Sequence, residues 1–415
     1  MKIALVCPYN MFERPGGVQQ LIMHLHDGLI KKGHSVKIIT PRPTGFKSEL
    51  PTDYILLGTS RSFTAGFGTA GNWGFPEDGD KIGEVLEREK FDVINFHEPI
   101  APIIAWQLIN RSTAAHVGTF HANLVDTVAA KSWVSVFTAH GRGIIEKMHV
   151  ITAVSPAPAS LLINKATTKA DKERADNIRY VPNGIDLSVY KPPKKRLPLN
   201  GPNTKTIVYV GRLDRRKGVD WLLKAYAVLV QEMPNAYLII AGEGSHRDRL
   251  EQLADSLELN NVKFTGFVDE TEKRRLMGNA DVACFPSLYG ESFGIVLVEA
   301  MAMGAPVIAG NNLGYINVLK DYGRIGLVDP KASEDFANRL AVFLTSSEIQ
   351  KSFRHWELGE VKKYDYPKII DLYETAYNEA MAKWRIERHL NGAEEKNGRW
   401  PKKLKRRLSV RRHAR

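Results

Sequence analysis

Short apolar runs alternate along most of the chain with segments whose apolar residues recur at helical spacing. Residues 2–7 and 91–96 have the continuous apolar character of buried strands, whereas 18–32 has the periodicity of a helix. Further strands are predicted at 35–40, 116–120 and 150–154. Because strands that alternate with helices favour a parallel sheet covered on both faces, the first half is predicted to be an α/β domain.

A break in this pattern lies at residues 191–205, where prolines and a run of charges cannot continue a helix or a central strand. The alternation then resumes, with strands predicted at 206–210, 236–241, 262–265, 281–285 and 307–309 and helices at 221–231 and 247–257. At 415 residues the chain is too long for one compact core. We therefore predict two doubly wound, Rossmann-like α/β domains that face a cleft.

The predicted organisation is a first domain at 1–190, a linker at 191–205 and a second domain at 206–365. A late helix assigned to 366–390 is expected to pack back on the first domain, and a tail follows at 391–415. Ligands of such sheets bind outside the carboxyl ends of the strands, so the cleft between the domains is the predicted site.

Residues 58–80 are rich in glycine and carry Phe63, Phe67, Trp73 and Phe75. This composition predicts a long mobile loop, and loops of that length are usually functional or disordered. Asp78-Gly-Asp80 has the form of a metal-binding D-x-D sequence, but its place in the loop favours a chance match. We expect no metal held by the protein.

The compartment is predicted from what the sequence does not contain. No apolar run approaches the ~18–20 residues needed to span a bilayer. The first residues read as a buried strand rather than a signal peptide, because Glu13 and Arg14 follow without a small-residue cleavage site, and a cytoplasmic location is expected. Cys7 and Cys284 lie in apolar runs away from any Cys/His cluster, so we expect core residues rather than a disulfide or a zinc site.

The net charge of +12 comes mostly from the C-terminus. Residues 396–415 hold ten basic residues and no acid, so the remainder of the chain is near +2. Such a tail can bind anionic lipid at ~1 kcal/mol per basic residue near the surface. A solvated end without a partner is equally compatible. Nucleic acid is not an expected partner, because Trp400 is the only aromatic residue among these charges.

Candidate chemistry in the second half centres on residues 286–304. A strand ends near Pro286, a glycine-containing turn follows, and a helix is predicted to begin near Phe293. Free N–H groups at that helix start can bind phosphate oxygens. Glu291 could reach beyond the phosphates, and Glu299 could bind a vicinal diol such as ribose. The simpler interpretation is a helix cap and a solvated carboxylate.

Two further turns follow strands of the second half. Arg212 and Lys217 come from the loop after a strand that ends at Gly211, and two cations there can neutralise a diphosphate. Gly242-Glu-Gly244 is a turn where backbone can approach a ligand. Taken singly, an exposed basic turn is the likelier explanation of the first.

The first half offers a glycine turn and a histidine. Gly16 and Gly17 lie between the first strand and the first helix, where backbone can approach an anion. The turn is not a G-x-G-x-x-G sequence, so a nicotinamide cofactor is unsupported. His121 stands near the end of a strand, and the preceding strand ends at His97-Glu98-Pro99. A lone histidine such as His121 is more often structural, and the His97 turn could line the same cleft or merely cap it.

Together these elements resemble the retaining GT-B glycosyltransferases of family 4. Their order and spacing match from residue 1 to about 385. The likeness is strongest to the phosphatidylinositol mannosyltransferases, on the runs Val6-Cys-Pro-Tyr9, Pro15-Gly-Gly-Val-Gln19, Phe96-His-Glu-Pro99 and Thr119-Phe-His121. The basic tail lies outside the resemblance.

The resemblance implies roles for individual residues. The catalytic set would be His121, Glu291, Arg212 and Lys217. Donor contacts would come from Gly16, Gly17, Gly211, Gly242, Val268, Ser292, Phe293, Gly294, Ile295 and Glu299. Acceptor contacts would come from Tyr9 and Gln19.

The function implied is transfer of mannose from GDP-mannose to a lipid such as phosphatidylinositol at the cytoplasmic membrane face. No cofactor is obligatory, and any Mg²⁺ would not be held by the protein. UDP-glucose as donor, with diacylglycerol or a soluble sugar as acceptor, stays open, as does a noncatalytic adaptor that uses the tail. The lipid surface could be met by the tail, by Trp73 and Phe75, and by residues 128–137 with Trp133.

Overall fold

A computed structural model gives the architecture of the chain. It describes residues 1–12, 16–43, 45–46, 49–64, 70–74, 77–100, 104–123, 141, 143–164 and 168–396. The side chains of Trp73 and Phe75, residues 128–137 and the basic residues after Lys396 lie outside this description.

The first half of the chain forms an eight-stranded sheet in the order β4-β3-β2-β1-β5-β6-β7-β8. Its strands are β1 (Lys2–Val6), β2 (Ser35–Arg42), β3 (Tyr54–Thr64), β4 (Ala70–Gly74), β5 (Val93–His97), β6 (Ala115–Phe120), β7 (Val150–Ala153) and β8 (Arg179–Tyr180). All neighbours are parallel except β3 and β4. The strand order reverses between β1 and β5, which is where open sheets of this kind bind ligands.

The loop predicted at residues 58–80 is wrong. β3 continues to Thr64 and pairs antiparallel with β4, from Ser60↔Gly74 to Thr64↔Ala70. A helix then begins at Gly79, with the Asp78 carboxylate accepting the Asp80 N–H at 3.0 Å. Phe63 and residues 71–74 are therefore strand residues, and Asp78 is a helix cap.

The second half forms a six-stranded, wholly parallel sheet in the order β11-β10-β9-β12-β13-β14. Its strands are β9 (Lys205–Val210), β10 (Ala236–Ala241), β11 (Val262–Gly266), β12 (Val282–Phe285), β13 (Val307–Gly310) and β14 (Leu327–Val328). Here the order reverses between β9 and β12. The prediction of two Rossmann-like parallel sheets is confirmed, while the exact domain limits stay a prediction.

Twelve α-helices are described in addition to short 3₁₀ turns. They are α1 (Gly17–Lys31), α2 (Gly79–Glu89), α3 (Ile104–Arg111), α4 (Pro156–Asn164), α5 (Lys169–Asp176), α6 (Val219–Glu232), α7 (Arg247–Ser256), α8 (Glu270–Asn279), α9 (Ile295–Ala302), α10 (Ser333–Thr345), α11 (Ser347–Glu360) and α12 (Tyr366–Lys396). Among them, no helix is long and apolar enough to cross a membrane.

The strands are buried because helices cover them. Cys7 and Cys284 are both free thiols within the cores, as their apolar surroundings predict. The last helix, α12, crosses back to the first sheet, where Tyr373 and Tyr377 pack in one cluster with Ile3 and Leu5. This crossing confirms the predicted return of the C-terminal helix.

Candidate active site

The second-sheet side of the site is built around a buried carboxylate. Lys217 ends a 3₁₀ turn, Arg215–Lys217, in the loop after β9, and Glu291 lies in the loop between β12 and α9. Oε1 of Glu291 accepts hydrogen bonds from Nζ of Lys217 at 2.8 Å and from Nη1 of Arg216 at 3.0 Å. The three side chains form one charged cluster at the carboxyl ends of adjacent strands.

The charge of this cluster is fixed by proximity. Burial alone would raise the pKa of the Glu291 carboxyl, but Lys217 and Arg216 outweigh it and the pKa is lowered. Glu291 is therefore ionised at neutral pH, and it holds the Lys217 ammonium in one place. A positioned cation next to a bound anion is the arrangement that stabilises a departing phosphate.

Arg212, predicted to act together with Lys217, does not join the cluster around Glu291. Its side chain is 56% exposed and pairs with Asp214 at 3.3 Å, while Arg216 takes the place beside Glu291. Arg216 was missed from the sequence, although it stands next to Lys217 in the same basic run. The 3₁₀ turn places the neighbouring side chains of Arg216 and Lys217 on the same carboxylate, and the spacing of charges in the sequence does not reveal this.

The loop ahead of α9 is shaped by Gly294. Gly294 has φ 97° and caps the helix without a side chain, so α9 begins at Ile295 rather than near Phe293. A Cβ on Gly294 would lie 2.5 Å from the Tyr315 ring. The Phe293 side chain is buried against Tyr364, so its predicted donor contact would have to come from its backbone.

The turns after β9 and β10 meet at the same edge. A Cβ on Gly242, at φ 148°, would lie 1.8 Å from the carbonyl oxygen of Gly211. The two backbone segments therefore approach each other as closely as only glycine allows. The Gly242 N–H donates to the Gly266 carbonyl at 2.8 Å, which links the turn to β11. Val268 follows β11 and packs, half-buried, on the second core.

Glu299 occupies a second buried ion pair, in α9. Its carboxylate accepts from Nζ of Lys273 at 3.0 Å, and the Tyr190 hydroxyl lies 3.4 Å away. Burial raises the pKa of Glu299, and Lys273 only partly offsets it. Lys273 and Tyr190 were not predicted from the sequence, since one lies in α8 and the other just ahead of the linker.

His121 follows β6 on the first-sheet side. Its Nε2 lies 2.8 Å from Nδ1 of His97, which ends β5, and the two rings are nearly parallel at 14°. Burial lowers the pKa of His121 to about 3. His121 is therefore neutral at physiological pH and is suited to hydrogen bonding rather than to carrying charge.

Glu98 holds the backbone on which His121 stands. Its Oε1 accepts the N–H groups of His121, at 2.8 Å, and of Ala122. Glu98 itself has φ 53°, in the left-handed region that non-glycine residues rarely adopt. Burial raises its pKa to about 7, although the two backbone hydrogen bonds oppose the shift. Such strain and burial are common at functional sites.

The glycine turn ahead of α1 is closed by Gln19. The Gly16 N–H donates to Oε1 of Gln19 at 3.2 Å, so the residue predicted to contact the acceptor caps the helix in this conformation. A Cβ on Gly17 would meet open space. Tyr9 packs against the first core, and its carbonyl accepts from Oγ1 of Thr40 at 2.9 Å.

The two halves of the site touch through the loops that carry His121 and Glu291. The Asn123 N–H donates to Oγ of Ser292 at 2.8 Å, and Nδ2 of Asn123 donates to the Glu291 carbonyl at 3.2 Å. Oγ of Ser155 also donates to the Ser292 carbonyl. The loop after His121 and the loop that carries Glu291 are thus in direct contact.

Family models match both halves of the chain. Residues 15–189 match Glycosyltransferase Family 4, and residues 193–355 match Glycosyl transferases group 1. The chain is also 32% identical over 386 residues to the phosphatidyl-myo-inositol mannosyltransferase of Mycobacterium tuberculosis, covering 90% of this chain and 97% of the relative. The chain is a family 4 glycosyltransferase of the GT-B fold. It is a hexosyltransferase.

Other relatives of this glycosyltransferase span similar lengths. A phosphatidyl-myo-inositol mannosyltransferase of Mycolicibacterium smegmatis is 31% identical over 90% of this chain and 94% of the relative. Among solved structures, sucrose-phosphate synthase from Thermosynechococcus elongatus has a TM-score of 0.72 at 22% identity, over 92% of this chain and 99% of that one. Anabaena HepE in complex with UDP and glucose has a TM-score of 0.67 at 20% identity, over 91% and 99%.

Among the residues that the structure describes, no group of three or more His, Cys, Asp or Glu side chains could hold a metal ion. The D-x-D sequence at Asp78 instead caps α2. A role for Mg²⁺ bound to the diphosphate of a substrate stays a prediction.

Proposed function

We propose that this glycosyltransferase transfers mannose from GDP-mannose to the head group of an inositol phospholipid. The observation that carries the proposal is the similarity, over 90% of the chain, to proteins named phosphatidyl-myo-inositol mannosyltransferases. The geometry of the cleft supports sugar transfer, and the choice of mannose and of the lipid rests on that similarity.

The donor diphosphate would lie at the N-terminus of α9, beside Lys217 and Arg216. The backbone ahead of α9 provides N–H donors, and the two cations offset negative charge as it develops on the leaving phosphate. Glu291 would orient both cations and contact the sugar. Glu299 would exchange its partner Lys273 for the ribose hydroxyls when the donor binds.

Transfer with retention can proceed on the front face of the sugar. The acceptor oxygen forms a bond to the anomeric carbon as the carbon–oxygen bond to the phosphate breaks, and the acceptor proton passes to the departing phosphate oxygen. Two features of the site favour this route, since the pKa of His121 is about 3 and the pKa of Glu291 is lowered. Both groups are weak bases, so neither is suited to take the acceptor proton.

Donor identity is tested by thermal stability. Solved structures with this fold include one that holds UDP and glucose, so UDP-glucose is the matched competitor. A ligand present at 100 times its Kd stabilises the folded state by about 2.7 kcal/mol. We expect GDP-mannose to raise Tm and UDP-glucose to leave it unchanged. The opposite ranking would assign a uridine donor to the same cleft.

The lipid acceptor requires that the enzyme reach a membrane surface, here proposed to be the cytoplasmic face. The ten basic residues at 396–415 supply an attraction to anionic lipid that salt weakens. Flotation with vesicles that contain phosphatidylinositol tests this role. We expect removal of 397–415 to reduce the bound fraction, and unchanged binding would show that another surface carries the contact.

A further inference from the structure

A chain of buried polar side chains lies beneath His121. Oγ1 of Thr119 donates to Oδ1 of Asn95 at 2.8 Å, and Nδ2 of Asn95 lies 2.8 Å from the Tyr377 hydroxyl and 3.2 Å from Nε2 of His97. These four side chains are at most 1% exposed. Since buried polar groups are costly to leave unpaired, each polar hydrogen shared among these four side chains has a defined position.

The direction of each hydrogen bond follows from Asn95. Its amide nitrogen can only donate, so Nε2 of His97 accepts, and a neutral His97 then carries its proton on Nδ1. That proton points to Nε2 of His121, 2.8 Å away, which must accept it. A neutral His121 is left with its own proton on Nδ1.

We propose that Asn95 and His97 are positioning residues that hold His121 in the tautomer protonated on Nδ1. His121 then acts in sugar transfer as a neutral hydrogen-bond donor to an oxygen of the bound nucleotide sugar, and not as the base that takes the acceptor proton. This role in transfer rests on the proposed function, whereas the tautomer itself does not.

The series of hydrogen bonds from Asn95 through His97 to His121, here called the relay, requires both histidines to be neutral. Burial keeps them neutral. The pKa of His97 lies well below its usual value because of burial and of the neighbouring His121, and burial alone lowers the pKa of His121. A second proton on His121 would face the Nδ1–H of His97 across 2.8 Å, and a second proton on His97 would face the Asn95 amide N–H across 3.2 Å. The crossing of α12 contributes to this arrangement, because Tyr377 in α12 accepts the second N–H of the Asn95 amide.

The test uses the full chain with ¹⁵N-labelled histidine rings. The chain holds 12 histidines, so the His121 resonances are identified by their loss in His121→Gln. We expect Nδ1 of His121 to be of the protonated type and Nε2 of the unprotonated type. The reverse assignment in the native protein would overturn the proposal without any variant and without any activity.

Asn95→Asp should invert the relay. A carboxylate at this position can only accept, so His97 would donate from Nε2, its Nδ1 would accept, and His121 would carry its proton on Nε2. We expect the His121 resonances to exchange type and kcat to fall at least 10-fold, with donor affinity changed less than 3-fold. Inversion of the tautomer with unchanged kcat would remove the catalytic part of the proposal.

Tyr377→Phe is the matched control. It removes the other partner of the same amide but leaves the contact between Asn95 and His97 in place. We expect a lower Tm and an unchanged His121 tautomer. If Tyr377→Phe and Asn95→Asp had the same effect on the resonances, packing rather than hydrogen-bond direction would explain both, and the relay would be rejected.

Discussion

Nζ of Lys217 lies 2.8 Å from Oε1 of Glu291, although 74 positions separate the two residues in the chain. The contact exists because β9 and β12 are neighbours in the second sheet and their carboxyl ends open onto the same cleft. Each residue alone is compatible with an exposed turn or a helix cap. As a pair, they fix the Lys217 ammonium at the place where, on the proposed function, a nucleotide sugar would release its phosphate.

Lys217→Ala should reduce kcat. Loss of one preorganised donor to a developing negative charge costs about 3 kcal/mol, or roughly 100-fold in rate. The matched control is Lys224→Ala, whose ammonium lies over the Trp221 ring at 4.1 Å in α6. Steady-state rates of both variants test the role, and equal losses in the two would remove it from Lys217.

Glu299→Gln should weaken donor binding more than Glu270→Gln. Both carboxylates contact Lys273 and Tyr190, but Glu299 is the buried one. We expect about a 10-fold rise in the donor Kd for Glu299→Gln, since a buried diol would lose a charged acceptor. Titration calorimetry with the nucleotide sugar measures it. A larger effect at Glu270 would move the ribose site.

Gly294→Ala should destabilise the fold and weaken donor binding. The added Cβ would lie 2.5 Å from the Tyr315 ring, and the alanine backbone would have to adopt φ 97°. We expect a loss of about 1–3 kcal/mol in the free energy of unfolding. Gly359→Ala, in α11 with open space around it, should instead stabilise by up to about 1 kcal/mol. Urea unfolding of the two variants compares them directly, and equal effects would contradict the strain argued for Gly294.

Glu98 should give the fold a measurable pH dependence. Because its pKa is raised from 4.5 to about 7 in the folded state, the folded state binds this proton more tightly. Its contribution therefore falls as pH rises from about 4.5 through 7 and is level above, by about 1–3 kcal/mol. His121 and Tyr9 are its titratable neighbours.

The measurement is urea unfolding of the native protein and Glu98→Gln between pH 5 and pH 8. The difference between their free energies of unfolding should shift against the native protein as pH rises. A difference that stays constant over this range would mean that Glu98 is ionised throughout, with its two backbone N–H donors fully compensating its burial.

Much of the fold follows from local pattern. The apolar runs predict β1, β5, β6 and β9 because a buried parallel strand needs continuous apolar residues, and helix periodicity predicts α1 and α12. The hairpin of β3 and β4 was missed, because a strand containing glycine resembles a loop until its pairing partner is known.

Glycines that the backbone geometry requires could be predicted from the sequence. Side-chain pairs between residues distant in the sequence could not. Gly242 and Gly294 stand out in sequence because no other residue fits their turns. Arg216, Lys273 and Glu98 contact residues 75, 26 and 23 positions away. Such pairs are chosen by tertiary packing, and a charged residue in a single sequence does not reveal its partner.

The central claim is tested most directly by transfer itself. Purified full-length protein is incubated with GDP-mannose and vesicles that contain phosphatidylinositol, and lipid products are read by mass, with UDP-glucose and His121→Ala as controls. The account predicts a lipid that gains one hexose, formed only from GDP-mannose and lost in His121→Ala. Hexose transfer from UDP-glucose alone, or product formation that survives His121→Ala, would contradict it.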